Sequence, residues 1–216
     1  DLREPLRKIT SFGSLLENSI KNKLEPDDAE NLHFMIDGAK RMNQMIDGLL
    51  SYSRASANEP HLENVELDKI IDDLQKFELD LLLKETHTII NILKPLPVIR
   101  ADSVQIRQLL QNLIANGIKY QKKGNIPQIT ITSRPAENGM VRIEIADNGI
   151  GIPPEYQQAV FTMFKRLHSR TEYEGTGNGL AVCKKIVHRH KGQIGVESQP
   201  GKGSTFWFTV PLANVA

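Results

Sequence analysis

The sequence predicts an α+β chain, in which an N-terminal antiparallel helical hairpin is followed by an α/β sandwich. Two observations lead to this fold class. Residues 1–56 carry apolar positions alternately three and four residues apart, which is the spacing of helices that pack side by side. Residues 57–216 alternate short strand-like segments with amphipathic helices, which is typical of a sheet packed against a layer of helices. We therefore expect two domains, 1–56 and 57–216.

The helical hairpin is predicted from two apolar stripes, which the proline-containing segment 23–28 separates as a turn. The predicted core positions are Leu2, Leu6, Ile9, Gly13, Leu16 and Ile20, followed by Leu32, Met35, Ala39, Met42, Ile46 and Leu49. Two helices alone cannot cover this much apolar surface, so the hairpin needs a partner. We expect a homodimer, in which two hairpins form a four-helix bundle. Packing of the hairpin against residues 57–216 is the alternative.

Strands and helices of the second domain are predicted from their different apolar periods. The predicted strands are 65–67, 86–93, 97–101, 128–134, 141–146, 192–198 and 205–211. Asp68 is expected to cap a helix that reaches Leu81, and Asp102 to cap a second helix. The polar segment 53–64 reads as a linker, and His61 within it is interpreted as a solvated residue.

The helix after Asp102 carries a polar stripe as well as an apolar face. Asn112, Asn116 and Lys119 are four and three residues apart, so their side chains share one face. Asn is a poor residue for a helix interior, because its amide competes with the backbone for hydrogen bonds. Amide oxygens suit a hard cation such as Mg²⁺, and a lysine suits phosphate. A solvated polar face is the alternative.

Two glycine-containing loops complete the pattern. Asp147 follows a predicted strand, and its carboxylate can accept a hydrogen bond from an exocyclic amino group such as that of adenine. Gly149 and Gly151 allow the backbone to approach a ligand closely, although Asp-Asn-Gly alone is also an ordinary turn signal. The loop 175–179 precedes a helix and can present backbone N–H groups to an anion. Together these elements indicate a nucleotide pocket.

In this order the elements resemble the motifs of the GHKL ATPase superfamily, and within it those of the sensor histidine kinases. Segment 112–120 resembles the N-box, and 147–151 the first glycine box. Segment 161–166 resembles the F-box of the ATP lid, and 175–179 the second glycine box.

The resemblance implies an ATP-binding domain of GHKL type. Adenine would lie against Asp147 and Thr205, and Mg²⁺ would be held by Asn116 with help from Asn112. The full set of implied nucleotide-binding residues is Asn112, Asn116, Lys119, Tyr120, Asp147, Gly149, Gly151, Lys165, Arg166, Gly175, Thr176, Gly177, Gly179, Leu180 and Thr205. Asn178 departs from the family, which usually has an apolar residue at that point.

The resemblance also predicts how the lid works. Lys165 or Arg166 would reach the phosphates when it closes, while Phe161 and Phe164 would hold it to the core. A solvated basic loop is the alternative. Gly117 replaces the small apolar residue that is usual in the family, and it is expected to weaken its helix by up to about 1 kcal/mol.

Residues 1–9, Asp-Leu-Arg-Glu-Pro-Leu-Arg-Lys-Ile, resemble the H-box of histidine kinases in the variant of phytochrome-like kinases. In that family a His directly precedes the acidic residue, so the phosphoacceptor is expected immediately before Asp1. The resemblance makes Asp1 the general base, and the alternative is a carboxylate that favours the helix dipole. Glu4 stands where phosphatase-competent members usually carry Thr or Asn, so dephosphorylation of a partner is not predicted.

The implied function is that of a sensor histidine kinase of a two-component system, which uses Mg-ATP to phosphorylate a His and passes the phosphoryl group to a response regulator. Implied partners are a second copy of the chain, a response-regulator receiver domain and an upstream sensor domain in the same polypeptide. One alternative is a catalytically inactive, dimeric ATP-binding signalling scaffold. Another is an ATPase clamp of the gyrase, mismatch-repair or heat-shock-chaperone type, against which the paired helices and the H-box argue.

Composition argues against several other classes of protein. The 216 residues include 27 basic and 26 acidic ones, a net charge of +1, so no nucleic-acid-binding face is indicated. No apolar run approaches the roughly 18 residues of a membrane span, and we expect a cytoplasmic location, or the cytoplasmic face of a membrane if an anchor lies upstream. The one cysteine, Cys183, is expected in the core. His168 has no companions at metal-ligand spacing, so no metal site is predicted there.

Overall fold

The computed structural model describes residues 3–20, 24–57, 59–167, 172–173 and 177–213. The chain divides into two compact units, Asp1–Ser53 and Arg54–Ala216. Helices make up the first unit, and a mixed sheet covered by helices makes up most of the second, so the predicted fold class is confirmed. Within the described residues, no helix is long and apolar enough to cross a membrane.

The helical hairpin consists of α1 (Arg3–Ile20) and α2 (Pro26–Ala57). Arg3, at the start of α1, pairs with Asp47 in the second half of α2, so the two helices run antiparallel. α2 begins at a proline because the fixed φ of proline suits the first helical turn, where its missing N–H is not needed.

A narrow seam of small and apolar residues joins the two helices. Leu6, Ile36 and Ala39 are buried there, and a Cβ on Gly13 would stand only 2.8 Å from Cγ1 of Ile36. Much of the predicted apolar surface stays outside the seam. The large apolar side chains that remain exposed are Ile9, Phe12, Leu15, Leu16, Phe34, Met35, Met42, Met45 and Leu49. The hairpin of one chain therefore presents an apolar face that its own two helices do not cover.

The second unit contains two sheets and several helices. Its elements are β1 (Glu63–Glu66), α3 (Leu67–Lys76), α4 (Asp80–Thr86), β2 (Ile89–Ile92), β3 (Val98–Ala101), α5 (Ser103–Lys119), β4 (Gln128–Pro135), β5 (Met140–Asp147), α6 (Gly179–Arg189), β6 (Ile194–Gln199) and β7 (Gly203–Pro211). The main sheet has the strand order β2-β4-β5-β7-β6, and β1 pairs with β3. Strands β2 and β4 are parallel, while the other neighbours in the main sheet are antiparallel.

The core lies between one face of the main sheet and the helices α3, α5 and α6. Successive side chains of a strand point to opposite faces, so Ile143 and Ile145 of β5 share the inner face with Phe206 and Phe208 of β7. α5 adds the buried residues Ile106, Leu109, Leu110, Leu113 and Ile114. Burying one such side chain contributes about 1.5–3 kcal/mol, so this contact fixes the rotation of α5 about its own axis.

The outer face of the main sheet carries a charged network around Trp207. The guanidinium of Arg142 lies 4.2 Å from the centroid of the Trp207 ring and pairs with Glu144 and Glu197. A Cβ on Gly195 would collide with the ring, so the glycine makes room for it. Trp207 and the core therefore lie on opposite sides of the sheet.

The helix predicted between Asp68 and Leu81 is instead two helices, α3 and α4, separated by a turn at 77–79. Asp68 does not cap α3, because the N-cap position of this helix is Glu66, two residues earlier. The carboxylate of Asp68 instead accepts a hydrogen bond from the backbone N–H of Leu96, at 3.3 Å. The predicted cap is therefore wrong, and Asp68 instead links α3 to the segment before β3 through this hydrogen bond.

The predicted strand 86–93 begins later than expected. Thr86 still belongs to α4, and His87 ends that helix in the left-handed conformation, with φ of 53°. β2 therefore starts at Ile89. The cap of α5 is as predicted, because Asp102 accepts a hydrogen bond from the N–H of Gln105 at 3.0 Å.

His190 is buried and joins the end of α6 to the start of α5. Its Nε2 accepts a hydrogen bond from the backbone N–H of Asp102 at 3.0 Å, and its Nδ1 lies 2.8 Å from the carbonyl oxygen of Ile186. Because Nε2 accepts, the ring proton must be on Nδ1, which donates to the carbonyl. Both ring nitrogens thus have backbone partners.

Candidate nucleotide-binding site

A cavity of about 240 Å³ opens in the second unit, where the ends of α5, β5 and β7 meet the first turn of α6. The predicted site residues that line it are Asn112, Asn116, Lys119, Tyr120, Asp147, Gly151, Lys165, Arg166, Gly177, Gly179 and Leu180. The fold therefore brings the three motifs of the sequence to one place.

Asp147 is the best-defined polar group of the cavity. Its Oδ1 accepts hydrogen bonds from the backbone N–H groups of Gly149, at 2.8 Å, and Ser204, at 3.2 Å. No donor among the described residues reaches Oδ2. Burial raises the pKa of Asp147 from 3.8 to about 6, and the two N–H donors oppose that rise. The carboxyl is thus fixed through one oxygen and leaves the other as an acceptor.

The first glycine box shapes the loop that holds Asp147. Gly149 does not line the cavity, but a Cβ there would collide with the carbonyl oxygen of Tyr120 and crowd Oδ1 of Asp147. Gly151 does line it, with φ of 74°, and a Cβ there would collide with the carbonyl of Gln199. Both glycines are needed for close backbone approach, and Gly149 acts on the cavity through Asp147.

The polar stripe of α5 faces the cavity. Asn112, Asn116 and Lys119 all line it. Residues one turn apart on a helix have Cβ atoms about 5–6 Å apart, so the two amides can reach one ligand. Oδ1 of Asn112 also lies 3.5 Å from where a Cβ of Gly179 would stand, so the stripe extends to the start of α6.

Gly117 lets α5 pack closely against the strands that hold the cavity carboxylate. A Cβ at this position would stand 2.7 Å from Cδ1 of Ile129 and 3.2 Å from Cβ of Asp147. A glycine is therefore favoured at this position by packing, because the side chain of a larger residue would collide with the end of Ile129 and crowd Asp147.

The segment after the first glycine box supplies cationic side chains to the cavity. Lys165 and Arg166 both line it, and Arg166 also donates a hydrogen bond to the carbonyl of Tyr173 at 2.6 Å. Tyr173 in turn donates from its hydroxyl to the carbonyl of Gln121 at 2.9 Å, and its ring lies 5.1 Å from that of Tyr120. These contacts join the segment to the C-terminal end of α5.

The two phenylalanines of the predicted F-box behave differently. Phe161 is buried and meets Phe206 edge to face, with 6.3 Å between the ring centroids. Phe164 is exposed and has φ of 62°, so the prediction that it holds the lid to the core is wrong.

The second glycine box leads into α6 at the edge of the cavity. Gly177, with φ of 72°, and Gly179 and Leu180 line it, so the first turn of α6 faces a prospective ligand. The N-terminal end of a helix favours anions through its free N–H groups and its dipole. Asn178, which departs from the family, is buried at the start of this helix.

Thr205 does not line the cavity, and its neighbours Ser204 and Phe206 do. The reason is the pleat of β7, which puts Ser204 and Phe206 on the inner face and Thr205 on the outer one. The structure therefore places Ser204, and not Thr205, at the cavity. The sequence could have shown this, because the alternating apolar residues Phe206, Phe208 and Val210 indicate which side chains of the strand face the core. Ser204 belongs to that set, and Thr205 does not.

Most of the apolar wall of the cavity was not predicted from the sequence. Its unpredicted lining residues are Ile150, Ile152, Val160, Leu167, Ser204 and Phe206. Ile150 and Ile152 flank Gly151 and could have been inferred from that position.

Asp1, Gly175 and Thr176 lie outside the described residues, as does His168. Their expected roles remain predictions. Cys183 is fully buried, as expected, and burial raises the pKa of its thiol to about 12.

Comparison with known protein families gives two matches on this chain. Residues 1–58 match the His Kinase A (phospho-acceptor) domain, and residues 101–214 match the family of histidine kinase-, DNA gyrase B- and HSP90-like ATPases. The two matches fall on the helical hairpin and on the unit that contains the cavity.

A cyanobacterial phytochrome and a phytochrome-like protein are among the relatives. Cyanobacterial phytochrome A of Nostoc sp. is 41% identical over 213 residues, which are 98% of this chain and 27% of that protein. Phytochrome-like protein Cph1 of Synechocystis sp. is 38% identical over 214 residues, which are 99% of this chain and 28% of that protein. The chain thus spans little more than a quarter of the length of these relatives.

Among solved structures, full-length ShkA in complex with AMPPNP has a TM-score of 0.70 and 26% identity, and the match covers 99% of this chain and 44% of that one. The family models, the relatives and this likeness agree with the order of motifs and with the fold described above. The chain belongs to the sensor histidine kinases, whose phosphoacceptor and ATPase regions it carries.

Proposed function

We propose that this chain is the catalytic part of a two-component sensor kinase, which binds Mg-ATP and phosphorylates a histidine. The observation that supports this best is the composition of the cavity. It combines Asp147, whose Oδ2 lacks a donor among the described residues, with two amides, three cationic side chains and apolar walls. ATP offers the complementary set, namely an amino-bearing flat base and a chain of anionic phosphates.

The base would lie among the apolar side chains. Ile150, Ile152, Val160 and Phe206 supply surfaces on which a flat ring can be buried. An amino group of the ring can then donate to Oδ2 of Asp147. A buried acceptor that is left unpaired costs about 1–3 kcal/mol, so this hydrogen bond would select an amino-bearing base.

The phosphates would lie near the cations and the start of α6. Lys119, Lys165 and Arg166 all border the cavity. Mg²⁺ fits the two amides, because it takes oxygen ligands and usually binds through one or two protein groups together with phosphates. Asn116 and Asn112 would hold it, and the ion would neutralise phosphate charge there.

In the proposed reaction an imidazole nitrogen attacks the γ-phosphorus of ATP. A P–N bond forms, the bond from phosphorus to the β–γ bridging oxygen breaks, and ADP leaves. Asp1 would take the proton of the other ring nitrogen as a general base. The acceptor is proposed to be the residue immediately before Asp1, by resemblance to the H-box. Positioning and electrostatics carry most of such a transfer.

The partners are proposed on the same basis. A second copy would cover the exposed apolar face of the hairpin. A response-regulator receiver domain would take the phosphoryl group from the histidine onto an aspartate. An upstream sensor domain is proposed from the phytochrome relatives. The proposed location is the cytoplasm, or the cytoplasmic face of a membrane if an anchor lies upstream.

Titration calorimetry with Mg-AMPPNP tests nucleotide binding. The native chain should bind, and Asp147→Asn should weaken binding on the order of 10²-fold, because its amide N–H₂ would face the amino group of the base. Asp80→Asn, a change of an exposed carboxylate on α4, is the matched control and should leave affinity unchanged. Equal binding by native and Asp147→Asn chains would remove the assignment of Asp147 to the base.

Labelling with γ-³²P-ATP tests transfer. A chain extended upstream by its natural residues should acquire a label that is labile in acid and stable in base, as a phosphoramidate is, if the residue before Asp1 is His. Asn116→Ala should abolish this label. Strong acid-labile labelling of residues 1–216 alone, on His33, His61 or another His, would show that the phosphoacceptor lies elsewhere.

A further inference from the structure

Ser198 on β6 does not line the cavity and belongs to none of the motifs described above. Its hydroxyl nevertheless has three close partners. The N–H of Ile152 donates to Oγ at 2.8 Å, and Oγ lies 2.8 Å from the carbonyl oxygen of Gly203 and 2.9 Å from Oγ of Ser204. These partners belong to the loop after β5 and to the start of β7, both of which border the cavity.

The three contacts fix the direction of two hydroxyl protons. A serine hydroxyl donates one hydrogen bond and accepts up to two. The carbonyl of Gly203 can only accept, so Ser198 donates to it, and the N–H of Ile152 can only donate. Ser198 then has no proton left for Ser204, so Ser204 must be the donor between the two hydroxyls. Ser198 is thereby fully satisfied, with one bond donated and two accepted.

This arrangement determines what Ser204 offers to a ligand. Ser204 lines the cavity, and its backbone N–H holds Oδ1 of Asp147. Because Ser198 takes the hydroxyl proton of Ser204, the side chain can present only lone pairs to the cavity. The ionised carboxylate of Asp147 also presents only lone pairs. The two side chains therefore form an acceptor-only edge.

We propose that Ser198 is a positioning residue for base specificity. By holding the proton of Ser204, it makes the cavity prefer a purine with an amino group at position 6 over one with an oxo group. The inference rests on the proposed function, because it requires a nucleotide base in this cavity. Ser198 itself touches neither the base nor the phosphates.

Calorimetric titration with ADP and IDP tests the proposal, since the two differ at position 6, amino against oxo, and at the adjoining N1, which is unprotonated in adenine and carries a proton in hypoxanthine. The native chain should prefer ADP on the order of tenfold or more, because the oxo group would face lone pairs. In Ser198→Ala the hydroxyl of Ser204 is free to rotate and donate to the oxo group, so the preference should fall about threefold or more. A merely loosened loop would weaken both nucleotides alike and leave their ratio unchanged.

Second-site variants identify Ser204 as the mediator. In a Ser204→Ala background there is no hydroxyl to redirect, so adding Ser198→Ala should not change the ADP-to-IDP ratio. Thr209→Val is the matched control. It removes a hydroxyl of β7 that accepts a hydrogen bond from the N–H of Gln193, away from the cavity, and it should keep the native ADP-to-IDP ratio. Ser198→Cys, which is similar in size but a weak hydrogen-bonding group, replaces the alanine variant if that one fails to fold.

The outcomes separate the two proposals. If the native chain does not bind ADP, the proposed function fails and the inference falls with it. If it binds ADP and the ratio is the same in the native and Ser198 variant chains, the inference alone is refuted. A ratio that falls equally with and without Ser204 would also refute it, because the effect would not pass through that hydroxyl.

Discussion

Replacing Asp147 by Asn should raise the free energy of unfolding at alkaline pH, even though it weakens nucleotide binding. Burial raises the pKa of Asp147 from 3.8 to about 6, so the folded chain favours the neutral acid. An ionised Asp147 therefore costs folding free energy above pH 6. Asn keeps an oxygen for the N–H groups of Gly149 and Ser204 and carries no charge.

The magnitude follows from the two pKa values. Below about pH 3.8 the carboxyl group is protonated in both the folded and the unfolded chain. From there to about pH 6 the unfolded chain releases the proton first, so the free energy of unfolding falls by about 1.4 kcal/mol per pH unit. The total loss at Asp147 is about 3 kcal/mol, it is complete above pH 6, and the Asn variant does not suffer it.

Urea unfolding of both chains at about pH 4.5 and pH 8, followed by far-ultraviolet circular dichroism, measures the difference. Relative to the native chain, Asp147→Asn should gain about 2 kcal/mol between these pH values. Asp80→Asn is the control, because Asp80 forms an exposed pair with Lys84 that contributes at most about 1 kcal/mol. A difference that is equal at both pH values, or that favours the native chain at pH 8, would refute the reasoning.

Three further predictions concern the metal, the dimer and the link between α5 and α6. Asn116→Ala should remove most of the effect of Mg²⁺ on AMPPNP affinity while metal-free affinity is kept, which calorimetry with and without EDTA measures; an unchanged metal effect would contradict it. Met42→Glu together with Leu49→Glu should give a monomer by light scattering, because burying an unpaired charge costs several kcal/mol; a persistent dimer would place the interface elsewhere. His190→Leu should lower the free energy of unfolding by about 1–3 kcal/mol in urea, because the N–H of Asp102 loses its partner, while the carbonyl of Ile186 keeps the backbone N–H of residue 190; exposed His188→Leu should change it by less than about 0.5 kcal/mol.

The parts of the cavity that are encoded locally could be predicted from the sequence. Asp147 and Gly151 belong to one short loop, and the stripe of Asn112 and Asn116 follows from helical spacing. Thr205 was implied by the resemblance alone, and it lies outside the cavity because side chains alternate between the two faces of β7. The apolar residues further along the strand indicate which of these faces is the inner one.

Contacts between distant segments could not be predicted in this way. His190 bonds to Asp102 across 88 positions of sequence, and Tyr173 bonds to Gln121 across 52. No local period marks either pair. The exposure of Phe164 could not be predicted either, because its left-handed backbone conformation is not marked by any local sequence pattern.

The place of Trp207 on the outer face of the sheet provides a reporter of unfolding. It is the one tryptophan of the chain, and its ring lies under Arg142, on the side of the sheet away from the cavity. Its fluorescence will change when the main sheet unfolds, whereas a ligand in the cavity does not touch the ring. Circular dichroism records the helices of both units. Following both signals in one denaturant titration will therefore separate the unfolding of residues 54–216 from that of the hairpin.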